Sequence, residues 1–159
     1  NIFSQSFAQV FYQQISEMKD NQAIRRLFFK FFFRLVGIAG LMIAVVMLVP
    51  NSFYTFVLGD KWGELGSFIK LLIFWFGLNF VTSCLAFINY RLKKQKQMLF
   101  LDSLHLVIVV SSICFGFFNG YSEWETLQWF VLGKILFFLI NIGAMVYFVL
   151  ASSKLRVNE

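Results

Sequence analysis

The stretch FFKFFFRLVGIAGLMIAVVMLV, residues 28–49, decides the fold. Its two cations, Lys30 and Arg34, sit near its start, everything after them is apolar, and Pro50 closes it. About 20 apolar residues at 1.5 Å each are enough to cross a hydrocarbon core of about 30 Å as a helix. Three more stretches meet the same requirement: 65–90, with no charge after Lys70, then 98–118 and 127–150. None alternates with a period of two, which excludes a transmembrane barrel. The chain as a whole agrees. Of its 159 residues 59% are hydrophobic and only 14% charged, where a soluble domain carries about a quarter. Twenty-three Phe against one Pro exclude disorder and collagen. The expected fold class is an all-α polytopic membrane protein with four full spans.

The charges between the spans set the orientation. Residues 17–34 carry Lys19, Arg25, Arg26, Lys30 and Arg34; the loop 91–97 carries Arg91, Lys93, Lys94 and Lys96; the tail 151–159 carries Lys154 and Arg156. The loop 50–64 has only Lys61, beside Asp60 and Glu64, and the loop 119–126 has Glu123 and Glu125 with no cation. By the positive-inside rule the connection 17–27, the loop 91–97 and the C-terminus are cytoplasmic, and 50–64 and 119–126 face outward. This explains the net charge of +6 without a nucleic-acid partner. Tyr54, Trp62, Tyr121, Trp124 and Trp129 fall near the outer ends, as an aromatic belt requires. Residues 1–16 are apolar and amide-rich but too short for a whole span, and are read as the end of a preceding transmembrane helix. With no initiator Met, the sequence is expected to be part of a longer protein.

No P-loop, GxGxxG, HExxH or GxSxG occurs, and no carboxylate pair lies inside a span, so neither an enzyme nor a cofactor is expected. A single His cannot make a zinc site. Ionisable groups inside spans are costly and mark pathways or partners. Arg26, Lys30 and Arg34 recur at i, i+4, i+8 on one helix face. They form either a basic ridge suited to a phosphate-bearing substrate or an inner-leaflet anchor with snorkelling stems. Lys134, about 10 Å from Leu127 along its span, either snorkels outward or lines a cavity. Asp102 and His105, at i, i+3, are candidates for ion coupling, with pairing of Asp102 to Lys94 or Lys96 as the plainer role. Asn79, Asn89 and Asn141 are expected to bond either between helices, which is the default, or to sugar hydroxyls. The small residues Gly37, Gly40 and Ala44, with Gly133 and Gly143, are expected to mark close helix contacts. Cys84 and Cys114 lie at different depths and should both be free.

Three stretches carry a resemblance. VLGDKWGELGSFIKLL (57–72) resembles the "FG-x-x-W-x-x-A/G" segment of Wzx-like O-antigen and polysaccharide flippases, with Leu58 in place of Phe. FINYRLKKQKQMLFLD (87–102) is similar to their "G-K-Q-K" inner loop, with Lys93 where Gly is common. SQSFAQVFYQQISEM (4–18) resembles the end of their eighth span, with Gln13 and Gln14 in place of Pro and Arg. The family belongs to the multidrug/oligosaccharidyl-lipid/polysaccharide flippase superfamily. The resemblance implies a fold of twelve helices in two bundles, of which this chain would supply the end of span eight and spans nine to twelve. It also implies movement of undecaprenyl-diphosphate-linked oligosaccharide across the bacterial inner membrane without covalent chemistry. The partners implied are that lipid-linked substrate, the bilayer and the preceding helices of the same protein. Arg26, Lys30, Arg34 and Lys134 are then the candidate substrate-binding residues. A multidrug or cation exporter of the same superfamily is the alternative. A membrane glycan polymerase is disfavoured by short outer loops with one Lys.

Overall fold

In a computed structural model, residues 2–18 and 20–154 are described, the side chains of 2, 3, 153 and 154 excepted. The charges assigned to Lys19 and Arg156 and to the Lys154 side chain lie outside the described residues. The chain is α1 (Ile2–Glu17), α2 (Asn21–Leu48), α3 (Asn51–Leu58), a 3-10 turn (Asp60–Trp62), α4 (Leu65–Leu85), α5 (Phe87–Arg91), α6 (Gln95–Phe118) and α7 (Glu123–Lys154). No strand occurs among the described residues. α5 continues α4, and four helices are long and apolar enough to cross a membrane: Asn21–Leu48, Leu65–Arg91, Gln95–Phe118 and Glu123–Ser152. This is an all-α polytopic membrane protein.

The helix boundaries follow from local chemistry. α2 begins at Asn21 rather than at Phe28, because the Asp20 carboxylate accepts from the Gln22 and Ala23 N–H groups and satisfies donors that a first turn leaves open. Much of the basic connection 17–27 is therefore helix. Pro50 opens α3, and Gly59 ends it at φ +91°, so the loop 50–64 holds a short helix and a turn. α7 starts in a capping box. Ser122 Oγ accepts from the Glu125 N–H, and the Glu125 carboxylate accepts from the Ser122 N–H and hydroxyl.

α2 packs along α4, α6 along α7, and α4 against α7 joins the two pairs, while α1 rests on α4 and α5. The main core gathers Phe11 and Ile15 of α1, Phe28 and Leu35 of α2, Leu85 of α4, Ile88 of α5 and Met145 and Val149 of α7. It lies at the end of the bundle that carries the basic connections. Two long-range ties close that end. Arg91 Nε and Nη2 donate to the Ile15 and Met18 carbonyls at 3.3 and 2.8 Å, which gives the last carbonyls of α1 a cationic partner. Asn21 Nδ2 donates to the Ser152 carbonyl at 3.0 Å.

The small-residue expectation holds at Gly133, which approaches Ser112 of α6, and is corrected at the other positions. A Cβ at Gly37, Gly40 or Gly143 would meet nothing within 4 Å, and Ala44 is exposed. The α2 core face is Ile24, Phe28, Leu35 and Ala39, so the stripe at 37, 40 and 44 faces away from this chain's other helices. The close approaches are Gly66 on Asn51 and Tyr54, Gly77 on Ile43, Gly133 on Ser112 and Gly116 on Thr126. Cys84 and Cys114 are free thiols, as expected.

Candidate functional site

Polar side chains of α4 with its continuation α5, of α6 and of α7 converge on one cavity. From α4 come Asn79, Thr82 and Ser83, from α5 Tyr90, from α6 Asp102 and His105, and from α7 Asn141, all lining a cavity of about 280 Å³. Phe137 and Phe138 form part of its apolar wall. Asn141 is 6% exposed, yet its Oδ1 has no hydrogen-bond partner among the described residues. A buried acceptor left open is uncommon and calls for a ligand or water. Asn79 also borders an apolar cavity of about 500 Å³ between α1, α2 and α4, whose lining includes Phe7, Ile38, Met42, Ile73 and Phe76.

Lys134 of α7 does not line this cavity but touches one residue that does, His105. Its Nζ lies 2.9 Å from His105 Nε2, a contact in which the ammonium donates to the unprotonated ring nitrogen. The same Nζ stands 5.1 Å from the Trp75 ring centroid and 5.2 Å from that of Phe130, close enough for cation–π attraction. His105 stacks on Phe137, centroids 4.0 Å apart and planes 9° off parallel. The Lys134 side chain is thus held by an imidazole and two aromatic faces and is not among the residues that line the cavity.

Two expectations fail here. Asp102 makes neither an ion pair nor a hydrogen bond with any described residue. Lys94 lies instead with its Nζ 5.5 Å over the Phe148 ring. The reason is rotation: Asp102 faces the cavity that it shares with His105 and Asn141, not the basic loop. Nor do the span amides bond between helices. Asn79 Oδ1 accepts from Ser83 Oγ at 3.3 Å, and Asn89 Nδ2 donates to the Ala86 carbonyl at 3.3 Å, each within its own stretch of helix. Asn79 and Asn141 both line the cavity, where neither meets a neighbouring amide.

Arg26, Lys30 and Arg34 all stand exposed on α2 and do not line this cavity. The structure thus brings together Asp102, His105 and Lys134 and leaves the ridge apart from them. In the sequence the roles of Asn79 and Asn141 as cavity walls were present only as the lesser reading of a span amide, a bond to sugar hydroxyls, because their convergence depends on how the helices are rotated. Comparison with known protein families, with curated proteins and with solved structures finds no match.

Proposed function

We propose that this chain is the C-terminal part of a flippase. It would carry undecaprenyl-diphosphate-linked oligosaccharide across the bacterial inner membrane, with the C-terminus cytoplasmic and α1 as the end of a preceding span. The observation that supports the reading best is Lys134. It is a cation well inside a span with no carboxylate partner among the described residues, beside a cavity walled by amides and hydroxyls. An intramembrane charge is retained where it meets a substrate, an ion or a partner. An anionic, hydroxyl-rich cargo suits both groups, and the exposed ridge Arg26, Lys30 and Arg34 offers further cations on the way in. No bond is made or broken in such transport, so the absence of a catalytic motif is in keeping with it.

A cation exporter is the second reading, favoured by the aromatic faces of Trp75 and Phe130. Those faces already hold the Lys134 ammonium, which would repel a cationic drug, so the flippase is preferred. The test is to express the full-length protein in cells that lack their own flippase. Surface glycan should return. Lys134→Leu should lower transport about 10- to 100-fold, the worth of a hydrogen bond to a charged group, and Arg34→Ala should lower it too, both with normal membrane insertion. Failure of the unsubstituted protein to restore glycan refutes the function, and full transport by Lys134→Leu removes this site from it.

A further inference from the structure

The hydrogen-bonding capacity left in the cavity between α4, α6 and α7 can be followed group by group. The Thr82 hydroxyl gives its proton to the Leu78 and Asn79 carbonyls, and the Ser83 hydroxyl gives its own to Asn79 Oδ1, so both keep only acceptor capacity. His105 Nε2 is spent on Lys134. What remains includes the NH2 of Asn79, the amide of Asn141 with its open Oδ1, the Tyr90 hydroxyl, the second ring nitrogen of His105, and the Asp102 carboxylate, which makes no hydrogen bond with a described residue. This set offers both donors and acceptors. A phosphate can only accept, and Asp102 would repel it. A hydroxyl donates and accepts at one atom, and so can serve the amides and the carboxylate together. Phe137 and Phe138 supply an apolar wall, against which the C–H face of a ring can rest. At about 280 Å³ the cavity falls just under the roughly 300–1,000 Å³ of drug-sized sites. That leaves room for one ring and not for an oligosaccharide.

We propose that this cavity binds a single sugar ring, held through its hydroxyls by Asn79, Asn141 and Asp102, and so reads one residue of the lipid-linked glycan. The proposal rests on the flippase reading for the source of the sugar. It separates the two parts of the cargo in space: the diphosphate is left to the cations, and one neutral ring is gripped by amides. Asn141 is the sharpest determinant, since it is the group whose buried oxygen has no other use.

Site-directed labelling of the full-length protein in lipid vesicles tests this. Ser83→Cys, in a Cys114→Ser background with Cys84 left buried, places a thiol on the cavity wall. Its rate of reaction with a water-soluble thiol reagent is followed with glucose, galactose, N-acetylglucosamine or inorganic diphosphate added. At least one sugar should slow the reaction, and diphosphate should not. Asn141→Leu should weaken that protection about tenfold, the worth of one hydrogen bond, and Asp102→Asn should weaken it less. No protection by any sugar overturns the proposal. So does equal protection by diphosphate, or protection that survives Asn141→Leu in protein whose unprotected labelling rate is unchanged. The glycan-display assay is independent: transport without protection sinks the sugar site alone, and protection without transport sinks the flippase alone.

Discussion

Lys93 holds φ at +55°, the one residue other than glycine with positive φ among those described. It stands just past the end of α5. Its N–H reaches the Tyr90 carbonyl at 3.1 Å, and the Lys94 N–H reaches that of Asn89 at 2.8 Å, the paired bonds of a Schellman cap. The end of α6 is built the same way. There Gly120 takes φ +66°, bonds run from Gly120 to Phe117 and from Tyr121 to Gly116, and Tyr121 packs on Phe115. Glycine occupies this conformation freely, whereas an L side chain pays about 1–2 kcal/mol. Lys93→Gly should therefore stabilise the protein by about 0.5–1 kcal/mol after the added freedom of the unfolded chain is deducted. Thermal unfolding in detergent checks it, and an unchanged or lowered midpoint would refute the strain. The departure of Lys93 from the flippase pattern was legible in the sequence. Its cost was not, because a left-handed residue leaves no periodic trace.

Helices were the most legible level, since a span needs only length and apolarity, and all four stretches form one. Their faces were less so. Gly37, Gly40 and Ala44 have the spacing of a packing motif but lie on the outward side of α2, while Gly116 stands alone in its span and gave no signal. An added Cβ at Gly116 would lie 2.5 to 2.9 Å from three atoms of the Thr126 side chain. Thr126 is fixed in the first turn of α7, so the α6–α7 seam would have to open at that end. Gly116→Ala should destabilise the protein by about 1–3 kcal/mol, as overpacking does, and should reduce the yield of folded protein in detergent. Gly40→Ala, in open space, should be close to neutral and serves as the control.

For the whole molecule the alternation of basic and acidic loops makes a test that needs no knowledge of function. In a Cys114→Ser background, a cysteine at Gln97 should be reached by thiol reagents only after the membrane is permeabilised. One at Glu123 should react in intact cells. The reverse pattern would invert every span. The topology could be read from charges because each loop contributes separately. The cavity could not, because Asn79, Asp102, His105, Lys134 and Asn141 meet only through the relative rotation of three helices. No single span records that rotation.

The two ties at the basic end also set a clock. The acceptors on Ile15 and Met18 are made 76 and 73 residues before Arg91, and Asn21 precedes its partner Ser152 by 131. At about 5–20 residues per second of synthesis, α1 waits roughly 4–15 s for its latch, and the last tie follows only as the final turns of α7 are made. The nascent chain thus spends most of its synthesis with that end unfastened, and the order of translation fastens α1 to Arg91 well before α2 can be tied to α7.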